Sequence, residues 1–254
     1  MEARGRRESA GVTTIQAPIG AIDRLRRPLG LGHVLVTLDD LLIVTWRVAE
    51  AEIRRHLPRT LHPVTCDGAG FVSAVVFRNR ALRPAVTAFP RMRSLQMNVR
   101  VYVRSLDGGE PGSVFFLGLY LSRRWIAAMS SRLFDLPFRY LPFDIVVRDD
   151  DRAVEWEARA ADNRIAIRAH EDVIDVDADT LDLLTNPHTA YVLDRRGALR
   201  RWSIWHRSQA VRTMSVERAV VACLSDMNLG AVMPALYVRS VDYEIYLPPR
   251  LASS

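Results

Sequence analysis

Hydrophobic and polar residues alternate over many short stretches of this chain, which is the pattern of β-strands that bury one face. The clearest stretch is 95–106, where valines at every second position leave the opposite face to Asn98, Arg100 and Tyr102. The apolar run at 33–48 predicts either one strand or a hairpin. Further strands are predicted at 71–77, 113–121, 138–148, 153–159, 164–168, 188–193, 199–206 and 236–247.

Helical spacing of apolar residues occurs in three segments, 49–57, 123–134 and 215–224, and one helical turn is predicted at 179–184. Pro58 and Pro137 end the first two helices, and Ser122 is placed to cap the second. The apolar stripe of that second helix consists of Trp125, Ile126, Met129 and Leu133. Because strands and helices do not alternate, we expect a mainly β (α+β) fold, a curved antiparallel β-barrel or double sheet with about three short helices packed on it.

One folded domain is predicted for residues 15–254, because 254 residues with 49% hydrophobic content lie within the range of a single barrel or sandwich. Residues 1–14 contain arginines but no apolar stretch typical of a secretory signal, which predicts a disordered tail. The longest apolar runs have the length of strands and are too short to cross a bilayer. We therefore expect a cytoplasmic protein without membrane association.

All 35 basic residues are arginines, and the chain contains no lysine. The net charge of +6 is compatible with an anionic partner, but the arginines are scattered in pairs along the sequence, which disfavours nucleic-acid binding. An arginine guanidinium stays protonated and is a poor nucleophile. The composition therefore excludes Schiff-base catalysis, attachment of pyridoxal phosphate and a P-loop, and we expect no cofactor.

Metal sites are not expected either. Cys66 and Cys223 are far apart and lack C-x-x-C spacing, which predicts buried, reduced thiols rather than a disulfide or a zinc site. The aspartates at 172–179 are spaced like those of a calcium loop, but the segment lacks the turn glycine and has Asn186 in place of the bidentate glutamate. A solvated edge is the simpler interpretation of these aspartates.

Five short segments resemble one known family and occur in that family's order. The first is Thr-Trp-Arg-Val at 45–48 followed by Leu57-Pro58, and the second is 98–103, close to the family's Asn-Val-Arg-Thr-Tyr-Val strand. The others lie at 136–140, 194–197 and 246–248. On these residues the chain resembles the YqjF-like family, domain of unknown function 2071, in the acetoacetate decarboxylase-like superfamily.

The resemblance implies a curved antiparallel barrel with a small interior pocket. Acetoacetate decarboxylase forms an imine through a pocket lysine, and that mechanism cannot be inherited by a chain without lysine. A second departure is Thr45, which stands where the family usually has a histidine before the tryptophan. Any role of that imidazole does not carry over to this chain.

The polar face of 95–106 is the best candidate for a ligand site. If this face lines the interior, Arg100 is a bidentate clamp for a carboxylate or phosphate, while Asn98 and Tyr102 orient the ligand or donate to an oxyanion. The alternative is a structural arginine paired with a buried carboxylate near 136–138. Four aromatic residues form either a pocket wall or ordinary core packing: Trp46, Tyr140, Trp202 and Trp205.

Three residues are candidates for proton transfer: Tyr102, His206 and Glu244. Histidine is the side chain whose ordinary pKa lies near neutral pH, which makes His206 a candidate general base, and a structural histidine is the alternative. Glu244 lies on the strand face opposite Tyr243. It is therefore a partner of Arg100, an acid or base in a closed pocket, or a residue exposed to water.

Three functions stay open at this level. The leading hypothesis is a protein that binds a compact organic acid or similar metabolite through Arg100. The second is a lysine-independent lyase, hydratase or isomerase that acts on an oxo-acid through Tyr102, His206 or Glu244, so the question of enzymatic activity is open. The third is an arginine-rich scaffold for protein or nucleic acid. Edge strands in such folds often pair between subunits, which makes a homodimer a further expectation.

Overall fold

Fifteen β-strands and three α-helices occur in the part of the chain that the computed structural model describes. That part comprises residues 12–14, 33–84, 92–106, 112–149, 154–162, 164–206, 210–246 and 250–252. The strands are β1 (Val12–Thr14), β2 (His33–Ala49), β3 (Thr65–Cys66), β4 (Ala69–Pro84), β5 (Met92–Val103), β6 (Ser113–Leu121), β7 (Phe138–Tyr140), β8 (Asp144–Asp149), β9 (Val154–Arg159), β10 (Ile165–Glu171), β11 (Thr189–Leu193), β12 (Leu199–His206), β13 (Ala210–Val221), β14 (Ala235–Tyr246) and β15 (Arg250–Leu251). The helices are α1 (Glu50–Arg54), α2 (Arg124–Phe134) and α3 (Ala178–Thr185).

Seven strands form a ring of hydrogen-bonded neighbours in the order β12, β11, β6, β5, β4, β2 and β14. The ring closes because β14 also pairs with β12, with Ile204 opposite Ile245 and His206 opposite Tyr243. From β14 the sheet continues outward through β13, β10, β9 and β8. Strand β6 pairs in parallel with both β7 and β11, so the curved sheet is mixed rather than wholly antiparallel. Helix α2 supplies the crossover that the parallel pairing of β6 with β7 requires.

Two apolar cores follow from the alternation along the ring strands. One set of side chains, including Val36 and Phe77, points into the ring. The opposite set, including Val44 and Val99, packs outside the ring with Trp156 and other side chains of β8, β9 and β10. The ring is therefore buried on both faces where the outer strands cover it.

A bulge between Asp39 and Leu42 shifts the alternation of β2 by one residue. Asp40 adopts the left-handed conformation with a φ of 53°, which aspartate tolerates better than most residues. Its carboxylate accepts hydrogen bonds from Arg78 at 2.7 Å and from the Tyr237 hydroxyl at 3.3 Å, and its carbonyl accepts from the Trp156 indole at 3.1 Å. The bulge thus links β2 to its neighbours β4 and β14 and to β9, which packs on the outer face.

The prediction of a helix at 215–224 is wrong. Strand β13 runs through most of that segment, and only the 3₁₀ turn Ala222–Leu224 follows it. Antiparallel pairing of Ser215–Val221 with β10 outweighs the local helical spacing. The third helix is instead α3, which begins at Asp177, whose side chain accepts from the Thr180 N–H at 2.8 Å.

Helix α2 lies where its spacing predicts, but two details differ. Ser122 does not cap it, because its hydroxyl accepts a hydrogen bond from the Leu95 N–H at 2.9 Å and Arg123 takes the N-cap position. Trp125 and Leu133 are 59% and 67% exposed, so the buried side of the helix is narrower than the predicted stripe and centres on Ile126.

Three further predictions are corrected. The segment 138–148 contains two strands, β7 and β8, since Pro142 between them has no N–H for a strand ladder. Cys66 and Cys223 are exposed rather than buried, because Cys66 ends a two-residue strand next to a turn and Cys223 lies in the 3₁₀ turn. Val12–Thr14, the end of the predicted tail, pairs with β13.

Two other predictions concern the N-terminal tail and membrane-spanning segments. The rest of the predicted tail lies outside the described residues. Among the described helices, none combines the length and apolar character needed to cross a membrane.

One buried carboxylate closes the hairpin between β11 and β12. Asp194 accepts hydrogen bonds from the backbone N–H groups of Arg196 and Ala198 at 2.9 Å and from Arg200 Nε at 2.7 Å. Burial alone would raise the pKa of Asp194, but the hydrogen bonds and the Arg200 charge favour the carboxylate and hold the pKa below its ordinary value. Gly197 completes the turn at a φ of 81°.

Replacing this carboxylate should destabilise the fold in a pH-dependent manner. We expect Asp194→Asn to lower the free energy of unfolding near neutral pH by about 2 kcal/mol, since it removes a charge-assisted acceptor. A carboxyl whose pKa is lowered on folding stabilises the protein above its unfolded pKa of about 4, and this stabilisation is lost as the pH falls through the folded pKa. Urea unfolding of wild type and variant should therefore differ at neutral pH and converge in acid. Asp175→Asn, at an exposed position, is the control, and an equal loss there would contradict the assignment.

Candidate functional site

A cavity of about 270 Å³ lies inside the ring of strands. Most of its wall is apolar and comes from β2, β4, β6, β12 and β14. Met129 and Leu133 of helix α2, together with Leu136 after it, cover one side. The polar residues of β4 and β5 in the wall are Asn79, Gln96, Asn98 and Arg100, which we call the polar stripe.

The polar stripe arises from strand periodicity. Positions 96, 98 and 100 of β5 point to the same side, and Met97 and Val99 between them point to the outer core. On the neighbouring strand, Asn79 lies opposite Ser94 in the antiparallel register. Two strands thus place three amides and one guanidinium along a single line of the cavity.

Arg100 is the one charged residue among the described residues of the cavity wall. It is 7% exposed. Its Nε and Nη2 donate to the Tyr102 hydroxyl at 3.1 and 2.9 Å, and Nη2 also donates to the Leu184 carbonyl at 2.6 Å. Within the described part of the chain, Arg100 forms no ion pair with a carboxylate, and Nη1 donates to no protein group.

A chain of buried hydroxyl groups holds this guanidinium from behind. The Tyr102 hydroxyl lies 3.0 Å from the Ser73 hydroxyl, which lies 2.7 Å from the Thr45 hydroxyl. All three side chains are fully buried. Thr45, which replaces the usual histidine of the resembled family, is therefore linked to Arg100 through two intervening hydroxyl groups.

The surroundings of Arg100 fit a purely structural role only in part. Arg100 does have a structural acceptor, since Leu184 lies in the last turn of α3 and its carbonyl has no partner within the helix. The negative end of the helix dipole also favours a cation at that position. The expected carboxylate near 136–138, however, is not the partner of Arg100, so a full negative charge is missing from the described surroundings.

The aromatic candidates separate into two groups. Trp202 lines the cavity and stacks on Phe116, with ring centroids 5.6 Å apart. Trp46 lies in the outer core, and Tyr140 is 47% exposed. Trp205 neighbours Trp202 and Ile204 on β12 but is not in the cavity wall, because alternate residues of a strand point to opposite faces.

The proton-transfer candidates do not converge on the cavity. Tyr102 is fully buried beside Arg100 and is not part of the described wall. Glu244 points away from the cavity, since its neighbours Tyr243 and Ile245 line it, and it is 8% exposed rather than open to water. Its carboxylate accepts a hydrogen bond from Tyr246 at 2.8 Å.

His206 lies next to the cavity rather than in its wall. Its ring centroid is 4.8 Å from that of Tyr243, which does line the cavity. The imidazole of His206 is therefore in ring contact with a residue of the cavity wall. In the described chain, no group of three or more histidine, cysteine, aspartate or glutamate side chains is arranged to hold a metal ion.

Sequence reasoning missed two members of the polar stripe. Gln96 shares the alternation of Asn98 and Arg100, so extending the same pattern by one position would have identified it. Asn79 gives no such signal, because its place depends on how β4 pairs with β5. Its Nδ2 donates to Gln96 Oε1 at 2.9 Å and to Ser94 Oγ at 3.2 Å.

Comparison with known families gives one match over most of the chain. The model of the family DUF2071, described as an uncharacterized conserved protein, matches residues 36–242. A comparison with curated proteins gave no match.

Several solved structures have a similar fold. An acetoacetate decarboxylase-like enzyme from Sphingomonas wittichii RW1 superposes with a TM-score of 0.58 at 13% identity, covering 89% of this chain and 95% of that one. Acetoacetate decarboxylase from Legionella pneumophila has a TM-score of 0.60 at 13% identity, covering 89% and 91%. The enduracididine biosynthesis enzyme MppR, complexed with pyruvate, has a TM-score of 0.58 at 13% identity, covering 96% and 99%. Identities this low establish the fold alone.

Tyr102 should stabilise the protein through its hydroxyl. We expect Tyr102→Phe to lower the free energy of unfolding by about 1 to 2 kcal/mol, because the buried Arg100 and Ser73 lose a hydrogen-bond partner. Urea unfolding at neutral pH measures the change. Tyr140→Phe is the matched control at an exposed position and should stay within about 0.5 kcal/mol of wild type. Equal effects of the two substitutions would contradict the role of the Tyr102 hydroxyl.

Proposed function

This chain belongs to the DUF2071 family of uncharacterized conserved proteins, and from that premise we propose that it binds a small organic acid in its internal cavity through Arg100. The observation that carries the proposal is a buried arginine, without a carboxylate partner among the described residues, at the wall of an otherwise mainly apolar cavity. A ligand carboxylate would supply the negative charge that the surrounding protein lacks.

Electrostatics supports an anionic ligand. Burying an unpaired charge is costly, and the Leu184 carbonyl and Tyr102 hydroxyl offset only part of that cost because both are neutral acceptors. An incoming carboxylate at Nη1 would complete the charge pair in a region of low dielectric, where charge-assisted hydrogen bonds are strong. Asn98, next to Arg100 on the same face of β5, adds a neutral hydrogen-bonding group at this end of the cavity.

Size and fold support a small ligand. A cavity of about 270 Å³ lies near the lower end of the range of ligand pockets. One structure with the same fold, MppR, is complexed with pyruvate, which is a small organic acid. Binding rather than imine chemistry fits this chain, because it has no lysine to form an imine.

Binding of organic acids should depend on Arg100. Isothermal titration with a panel of short oxo-, hydroxy- and alkyl carboxylates should give at least one saturable ligand for the wild type. We expect Arg100→Met, which keeps the length of the side chain but removes its charge, to weaken binding of that ligand about 10-fold to 100-fold. Arg104→Met, at an exposed position shortly after the end of β5, is the matched control and should bind like wild type.

Two results would contradict the proposal. One is the absence of binding by every acid in a wild-type protein that unfolds cooperatively. The other is equal affinity of wild type and Arg100→Met for the acid that binds, since the guanidinium would then be irrelevant to recognition.

Turnover of the bound acid is the second candidate function, and the contact between Tyr243 and His206 favours it. A phenol in the cavity wall next to an imidazole forms a pair through which a proton could leave the site. If the acid reacts, proton NMR of its mixture with the wild-type protein should show a product. Tyr243→Phe and His206→Asn should each slow the formation of this product at least 10-fold and leave the affinity for the acid unchanged. An unchanged spectrum over many hours would leave binding as the function.

A further inference from the structure

The three amides of the polar stripe are hydrogen-bonded in one direction. Asn79 Nδ2 donates to Gln96 Oε1 at 2.9 Å, and Gln96 Nε2 donates to Asn98 Oδ1 at 2.8 Å. In both hydrogen bonds the donor is the amide farther from Arg100 and the acceptor is the amide nearer to it. The chain of amides has two chemically different ends.

The end at Arg100 offers donors only. Asn98 uses its oxygen to accept from Gln96, and its Nδ2 donates to no described protein group. Nη1 of Arg100 is likewise available to the cavity. Two donors next to each other fit a carboxylate, whose oxygens only accept hydrogen bonds when it is ionised.

The end at Asn79 offers an acceptor. Asn79 is 2% exposed and lines the cavity, and its Oδ1 is buried without a hydrogen-bond partner in the described structure. Both hydrogens of its amide group already have acceptors, Gln96 and Ser94, which fixes the direction of the side chain. A buried, unsatisfied carbonyl oxygen is costly, and a ligand group that donates a hydrogen bond would satisfy it.

We propose that the ligand is a two-ended acid, with a carboxylate at Arg100 and a hydroxyl or similar neutral donor at Asn79. This inference rests on the proposed function and narrows the class of acid. Asn79 lies opposite Ser94, and the hydrogen-bonded amides of Gln96 and Asn98 lie between Asn79 and Arg100 along the stripe. Val36, Phe77 and Leu119 belong to the wall of the same cavity. The middle of the ligand is therefore apolar.

The test compares straight-chain alkyl acids, from hexanoate to decanoate, with the ω-hydroxy acids of the same length. Isothermal titration with wild type should show that at one chain length the ω-hydroxy acid binds about fivefold more tightly than its parent. Asn79→Leu removes the acceptor and should reverse this preference, because the hydroxyl would then be desolvated without a partner. Asn79→Asp keeps an acceptor at the position and should shift the preference toward the ω-amino acid, whose ammonium group pairs with the new carboxylate.

The outcomes distinguish acid binding at Arg100 from the second contact at Asn79. If alkyl acids bind through Arg100 but the ω-hydroxyl weakens binding at every length, the two-ended ligand is wrong and the acid site stands. If no acid binds, or binding survives Arg100→Met, both fail. Loss of cooperative unfolding in Asn79→Leu leaves the decision to Asn79→Asp, whose preference for the ω-amino acid is required in that case.

Discussion

The site depends on how the Arg100 guanidinium is held. Nη2 is anchored by a carbonyl at the end of α3 and, together with Nε, by the phenol of Tyr102, and that phenol is in turn fixed by hydroxyl groups of β4 and β2. Four elements far apart in sequence therefore converge on one side chain. Neutral acceptors orient the cation without neutralising it, which keeps its charge available on the side that faces the cavity. A carboxylate in the place of the Leu184 carbonyl would have made the same arginine purely structural.

The period of two in β-strands explains what the sequence alone could predict. Alternation along 95–106 identified the polar face that lines the cavity. The same alternation along β12 explains why Trp202 lines the cavity and Trp205 does not. The mainly β fold and the positions of most strands along the chain follow from equally local patterns. The family resemblance then indicated a curved sheet with an interior, which the structure confirms.

What could not be predicted depends on pairing between distant segments. The acceptor of Arg100 is a backbone carbonyl, which any residue possesses, so position 184 carries no signal in the sequence. Asn79 joins the polar stripe only through the register of β4 against β5. The error at 215–224 has the same origin, because pairing of this segment with the distant strand β10 outweighed spacing that suits a helix.

Helix α2 determines how a ligand would enter and leave. The other sides of the cavity are strands joined to both neighbours by backbone hydrogen bonds, and opening them would break the ring. Leu133 both lines the cavity and is largely exposed, so the mouth lies beside the last turn of this helix. A small rearrangement of one short helix costs far less than opening a strand pair. The residence time of a bound molecule would therefore be governed by the fluctuations of α2, so that substitutions there would change association and dissociation rates together and leave the equilibrium affinity nearly constant.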